Sequence, residues 1–247
     1  MNFSEKVIVI SGAAKGIGKA TALEFANLGG KVAIFDKDQD AVLEIKNELE
    51  KLSSNFLVNN VDITNLNEVE RFLSRVREKF GNIDVLVNNA GFGFTKKFEQ
   101  TSPQEFDAVL NTNFKGAFFL TQKALPILNN RASIIFITSI HAEHPSLDPT
   151  YDSSKAAINS FVTNLALQLS SREIRVNAIA PGHIDVNTES SPRDQEGVPL
   201  YKKAGFPKDI ANACVFLADN ERARYITGTI LPVTGGLHIP IAKDLKF

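Results

Sequence analysis

Val7-Ile8-Val9-Ile10-Ser11-Gly12-Ala13-Ala14-Lys15-Gly16-Ile17-Gly18 decides the fold: four β-branched residues run into a glycine-rich turn, and a segment of helical period follows over 16–28. An unbroken apolar strand is one buried on both faces, as in a parallel sheet. Glycines at 12, 16 and 18 let the backbone turn tightly and approach a pyrophosphate at the N-terminus of the helix they open. The spacing is GxxxGxG rather than GxGxxG, and read alone such a loop also serves as a strand–helix turn that needs only small residues. Its surroundings favour the phosphate reading. Val32-Ala33-Ile34-Phe35 reads as a second strand, and Asp36 ends it 18 positions after Gly18, near the offset at which a carboxylate meets ribose hydroxyls. A carboxylate there repels a 2′-phosphate and favours NAD over NADP. Lys15 and Lys37 can each reach toward such a phosphate, which leaves NADP open, and Asp36 can instead serve only as a cap of the next helix.

Outward from this unit the alternation continues. Strand-like runs recur at Phe56-Leu57-Val58, Val85-Leu86-Val87, Ile134-Ile135-Phe136-Ile137, Val176-Asn177-Ala178-Ile179 and Ile230-Leu231-Pro232-Val233. Segments of helical period lie at 38–52, 65–80, within 104–129, at about 151–170 and near 207–219. Such alternation implies right-handed crossovers and an α/β, doubly wound parallel sheet of about seven strands with helices on both faces. One domain over 1–247 is the expectation. Gly29-Gly30 can cap the first helix and Ser102-Pro103 can open another. The stretch from Asn187 to Gly205 has no period and is long for a connection, so a substrate lid is expected at about 187–205.

Composition excludes several classes. A chain of 247 residues, 43% hydrophobic, can bury a full core. Its 27 basic and 28 acidic residues are interspersed, so no footprint for nucleic acid or an anionic membrane stands out. The single cysteine, Cys214, rules out an internal disulfide and any multi-cysteine metal site; its apolar helical run suits a small buried hydrophobe. No stretch approaches a membrane span and no signal-like segment precedes the first strand, so a cytoplasmic location is expected.

Tyr151-Asp152-Ser153-Ser154-Lys155 begins a helix with apolar positions Ile158, Phe161, Val162 and Leu165. Residues four apart share a helix face, so phenol and ammonium can approach one site. A phenol titrates near pH ~10, and a fixed neighbouring cation favours its ionised form, so the pair can supply a general acid or base closer to neutrality. The same spacing also arises by accident in a chain with three tyrosines. Its meaning comes from its place after a glycine loop and Asp36.

Together these residues resemble the classical short-chain dehydrogenase/reductase family across essentially the whole chain. The resemblance implies a Rossmann-type fold and an oxidoreductase that moves a hydride between a nicotinamide cofactor, NAD or NADP, and a secondary alcohol or carbonyl. It implies cofactor contacts from Gly12, Lys15, Gly16, Ile17, Gly18 and Asp36, and from Asp62 and Ile63 of Val-Asp-Ile-Thr beside the adenine. Asn89, Ala90 and Gly91 of the Asn-Asn-Ala-Gly turn, Pro181, Gly182 and Ile184 near the nicotinamide, and Tyr151 and Lys155 complete the set. Thr227-Gly228 and Gly235-Gly236 resemble the family's closing signature. The catalytic residues it implies are Asn113, which holds a water beside the lysine, Ser139, which bonds the reacting oxygen, Tyr151, which exchanges the proton, and Lys155, which holds the cofactor ribose and lowers the phenol pKa.

Three positions depart from the family pattern. Ser139 precedes Tyr151 by 12 positions, one fewer than usual, so Thr138 stays as the alternative for the serine role. Val186 stands where a threonine is common, with Thr188 able to substitute, and Thr234 stands where an aspartate often precedes the double glycine. For the substrate, the pocket wall includes Gly91-Phe92-Gly93-Phe94, with His141, Glu143 and His183 as candidate contacts and Glu189, Arg193, Asp194 and Glu196 on the lid. These favour a polar, sugar- or polyol-like small molecule, although solvated loop histidines are the plainer reading. No metal is expected, because His141 and His144 have no evident third ligand. The alternatives are a 3-oxoacyl thioester reductase, which wants a basic docking surface and usually NADPH, and a catalytically silent NAD-binding regulator, against which the intact catalytic set argues. The family's counterparts of 104–129 and 151–170 pair across subunits, implying a homotetramer or dimer, and the apolar tail Leu237–Ile241 can dock on a neighbour.

Overall fold

Side chains on β1 (Val7–Ser11) divide by position: Val7 and Val9 join one apolar cluster, Ile8 and Ile10 another, because successive strand residues point to opposite faces. The same division holds in β2 (Lys31–Asp36), with Ala33 and Phe35 opposite Val32 and Ile34. It recurs in β5 (Leu128–Ile137), with Ile134 and Phe136 opposite Ile135 and Ile137. Both faces are covered, which is why these strands read as continuous apolar runs. The computed structural model describes every residue except Ser54, Thr95, 187–193, Glu196 and 240–247.

Seven strands form one parallel sheet, completed by β3 (Phe56–Asn60), β4 (Ile83–Asn88), β6 (Arg175–Pro181) and β7 (Ile230–Val233), in the order β3-β2-β1-β4-β5-β6-β7. Helices α1 (Gly16–Asn27), α2 (Gln39–Leu52) and α7 (Pro207–Ala218) bury Phe25, Ile45 and Ile210 against the face that carries Ile8. Helices α3 (Leu66–Phe80), α5 (Ala117–Ala124) and α6 (Pro149–Gln168) bury Phe72, Leu120 and Val162 against the other. This is the doubly wound architecture expected from the sequence. Chain order reverses between β1 and β4, and in such sheets the crevice beyond the strand C-termini at that point is where ligands bind.

Local signals explain the boundaries. Ser102 caps α4 (Pro103–Leu110) in a capping box with Glu105, and Pro103 sits where its missing N–H costs nothing. Gly29, just past α1, takes the left-handed φ of 85° that closes the helix. The segment expected as a single helix within 104–129 is divided: α4 passes through a π-helical turn, Asn111–Gly116, into α5. A 3-10 turn containing Pro126 then leads into β5 at Leu128. α6 begins at Pro149, two residues before Tyr151, with Asp148 as its cap.

Candidate active site

The loop between β1 and α1 presents free backbone donors. Lys15, at the cap position of α1, makes no side-chain capping bond, and the first turn carries no acidic residue. The first N–H groups of α1 thus have no side-chain acceptor, and Lys15, Gly16 and Ile17 line the crevice, an arrangement that suits an anion. A Cβ on Gly12 would come 2.6 Å from Ala90 Cα; one on Gly18 would collide with the Gly12 carbonyl and sit 2.5 Å from Asn89 Nδ2. Asn89 Nδ2 donates to the carbonyls of Ser11 (3.2 Å) and Gly12 (2.6 Å), while Ser11 Oγ accepts from the N–H groups of Asn89 (3.1 Å) and Ala90 (3.2 Å). The Asn-Asn-Ala-Gly turn is thus a brace for the glycine loop rather than a bare turn.

Asp36 is not a helix cap: that role belongs to Asp38, whose side chain accepts from the N–H of Ala41. Asp36 instead accepts the N–H of Ala14 (3.1 Å) and of Asp38 (3.1 Å), holding its carboxylate against the glycine loop. Lys15 Nζ lies 2.6 Å from Asp38 Oδ2, and Lys37 Nζ lies 5.3 Å from the Phe92 ring centre. Asp62 accepts from the backbone and hydroxyl of Thr64. A cavity of about 1420 Å³ runs past Gly12, Asp36, Asp62, Ile63, Asn89, Ala90, Gly91, Tyr151, Lys155, Pro181, Gly182 and Ile184. Lys15, Gly16 and Ile17 also line it, so the expected cofactor residues converge there, with Gly18 behind them in the loop. Close backbone packing, free helix donors and a terminal carboxylate fit a nicotinamide dinucleotide.

At the far end of the cavity, Ser139 follows β5, and its side chain and that of Tyr151 line the same wall. Thr138 does not compete for this place: its hydroxyl lies 3.1 Å from the Lys155 carbonyl and 2.8 Å from Asn159 Oδ1, turned toward α6. The shorter Ser139–Tyr151 connection therefore still delivers Ser139. Lys155 Nζ donates to the Ile137 carbonyl (2.9 Å) and lies 5.5 Å from the Tyr151 ring centre. Asn113 is fully buried; its Oδ1 accepts from Phe92 N–H (2.9 Å), and its Nδ2 donates to the Phe92 carbonyl (2.8 Å) and Ser154 Oγ (2.9 Å). A Cβ on Gly91 would lie 3.2 Å from both Asn113 Oδ1 and Lys155 Nζ, so these two groups meet behind residue 91.

Comparison with known proteins agrees with this geometry. The family model described as enoyl-(acyl carrier protein) reductase matches residues 12–238. The 3-oxoacyl-acyl-carrier-protein reductase FabG of Thermotoga maritima is 34% identical, covering 97% of this chain and 100% of that protein. The 7alpha-hydroxysteroid dehydrogenase of Escherichia coli is 35% identical, covering 94% of this chain and 93% of its own length. A short-chain dehydrogenase of Burkholderia cenocepacia, solved in complex with NADP, superposes with a TM-score of 0.87 at 27% identity over 96% of this chain and 99% of that one. The chain belongs to the classical short-chain dehydrogenase/reductase family. It is an oxidoreductase that binds NAD(P) and acts on alcohol or carbonyl groups.

Two ionisable groups of this short-chain dehydrogenase/reductase are displaced by their surroundings. Burial pushes the Tyr151 phenol above its ordinary value, the neighbouring Ser139 hydroxyl opposes the rise, and the carboxylates of Asp152 and Asp148 add to it. Burial also pushes Lys155 down to about 8. Desolvation is the largest cause of the phenol's displacement, because enclosure in protein penalises the charged phenolate.

Of the expected substrate contacts, His141 lines the cavity, with its ring centre 6.2 Å from that of His183, whose Nδ1 is buried without a hydrogen-bond partner among the described residues. Glu143 is exposed and outside the cavity lining. Val186 lies over the glycine loop, 3.3 Å from where a Cβ on Gly16 would be. Thr188, Glu189, Arg193 and Glu196 fall outside the described residues. The described end of the expected lid is anchored: Gly205 N–H donates to the His183 carbonyl, and Leu200 N–H to Gly235. Sequence reasoning missed Asp148, which caps α6 and lines the cavity. Asp148-Pro149 carries the ordinary signal of a cap followed by a first helical proline, and that signal was available. It also missed Ser154, whose partnership with Asn113 is long-range. No group of three or more potential metal ligands occurs among the described residues, and none of their helices is long and apolar enough to cross a membrane.

Proposed function

We propose that this short-chain dehydrogenase/reductase interconverts a polar secondary alcohol, polyol- or sugar-like, and its carbonyl, with NAD preferred over NADP. The observation that carries the reading is the convergence of Ser139, Tyr151 and Lys155 on one end of the dinucleotide-sized cavity. A nicotinamide bound there supplies hydride transfer. Ser139 orients the substrate oxygen and Tyr151 passes it a proton. A phenol is protonated at neutral pH, the form in which it can give a proton in carbonyl reduction. Lys155, buried and fixed to the Ile137 carbonyl, holds its charge beside that ring and toward the ribose. Asn113 fixes the Phe92 backbone next to Lys155.

The NAD preference rests on Asp36 together with the ion pair that occupies Lys15: the ribose end carries two carboxylates, with Lys15 held by Asp38 and Lys37 set over the Phe92 ring. The NADP bound by the Burkholderia neighbour marks the alternative. Likeness to FabG, named for 3-oxoacyl-acyl-carrier-protein, supports a second reading, reduction of a 3-oxoacyl thioester. A homodimer or homotetramer in the cytoplasm completes the proposal. Nicotinamide absorbance with NAD and NADP against sugars, polyols, secondary alcohols and 3-oxoacyl esters tests it. Faster turnover of polyols with NAD is expected; preference for a 3-oxoacyl ester with NADPH selects the second reading, and cofactor binding without turnover overturns both.

A further inference from the structure

The wall between Ser139 and Tyr151 uses its hydrogen-bonding groups unevenly. Asp152 is engaged, accepting the N–H (2.8 Å) and hydroxyl (2.6 Å) of Ser146, whose Oγ also accepts from the N–H of Asp148 (3.2 Å). Asp148 is only half engaged. Its Oδ1 accepts from the N–H of Tyr151 (3.1 Å) as the cap of α6, and its Oδ2 has no hydrogen-bond partner among the described residues. A Cβ on Gly93 would lie 3.0 Å from that Oδ2 and 2.9 Å from Tyr151 Cδ2, so the free oxygen and the tyrosine ring flank one glycine, and both residues line the cavity. His141 offers a second acceptor. Its Nδ1 lies 2.9 Å from the His144 carbonyl, which can only accept, so Nδ1 carries the proton and the neutral ring presents an Nε2 lone pair. Of the cavity-lining residues in this wall, only Ser139 and Tyr151, both committed to the reacting oxygen, have protons to give.

We infer that Asp148 determines specificity: its Oδ2 receives a hydrogen-bond donor, hydroxyl or ammonium, carried close to the reacting carbon, with His141 Nε2 as a second acceptor. This rests on the proposed alcohol–carbonyl reading and narrows it to diols, polyols and amino alcohols. An anionic group at that position meets a carboxylate and is disfavoured.

Four matched carbinols test the inference: 2-butanol, 2,3-butanediol, 3-amino-2-butanol and 3-hydroxybutyrate, each with NAD, in the wild type and in Asp148→Asn. Asparagine caps a helix as well as aspartate does, so α6 keeps its start while the acceptor-only group becomes a part donor. The wild-type kcat/KM for the diol or the amino alcohol should exceed that for 2-butanol by about 10- to 100-fold, the range of a hydrogen bond to a charged group. Asp148→Asn should collapse this ratio, more steeply for the amino alcohol if ammonium is the true partner and equally for the two if hydroxyl is. An unchanged ratio in the variant, or wild-type preference for 3-hydroxybutyrate, overturns the inference while leaving the oxidoreductase reading intact. Turnover of none of the four by a protein that still binds NADH also overturns it, and the proposed function then stands or falls on the wider substrate panel.

Discussion

Tyr151 and Lys155 are both moved by burial, in opposite directions, because desolvation penalises the charged form of each. For Lys155 the consequence is a pH-dependent stability cost. Its pKa in the folded chain is about 8, below the 10.5 of the exposed group, so the unfolded chain holds more protons between these values and wild-type stability rises with pH across that window. Lys155→Met removes the cost. Urea unfolding should show the variant's stability relative to wild type falling by about 3 kcal/mol between pH ~8 and ~10.5, at ~1.4 kcal/mol per pKa unit. A difference constant with pH would contradict the burial of a charged Lys155. Turnover should be lost in the same variant, so the lysine illustrates stability given up for chemistry.

At the scale of elements, α6 and the π-helical turn bring the site together. The turn adds a residue to the helical path at Asn111–Gly116, and Asn113 points inward from it, as π-turns often do at functional sites. Removing the Asn113 side chain leaves the Phe92 N–H and carbonyl without their partner. Asn113→Ala should cost about 2–4 kcal/mol in urea unfolding, since each stranded buried group costs ~1–3 kcal/mol. It should also lower kcat; a loss below ~0.5 kcal/mol would show that the Phe92 bonds are not maintained. Much of this level was legible in sequence: the strands, the glycine loop, the Ser102-Pro103 start and the Tyr151–Lys155 face all follow from local pattern. The π-turn was not, because the apolar period continues through 104–129, while the bonds that Asn113 makes from the turn go to Phe92 and Ser154, both remote in sequence. Nor was the height of the phenol pKa, which depends on how much protein encloses Tyr151, a property of the assembled molecule.

For the whole molecule, apolar surface remains on the outer side of the helices that cover the second face. Phe106 on α4 is 48% exposed and Leu167 on α6 is 77% exposed. Phe118 of α5 and Phe161 of α6, both half-buried, stack on each other at 4.8 Å. Light scattering should therefore give two or four times the 27.0 kDa of one chain, and a 27.0 kDa particle at micromolar concentration would remove the expected self-association. Fold and reaction class were readable because they rest on backbone geometry and on residues tied to it by position, such as Gly12 and Asp36. The substrate wall was less so: Glu143 looked as promising as His141 in sequence, and only the path of the loop turns one outward and the other inward. The account as a whole depends on proton transfer by Tyr151 next to a bound nicotinamide. Steady-state turnover of Tyr151→Phe beside an NADH-binding titration tests this most directly. The expected result is a fall in kcat of at least about 10³-fold with NADH affinity within about threefold of wild type; a variant that turns over at the wild-type rate would contradict the account.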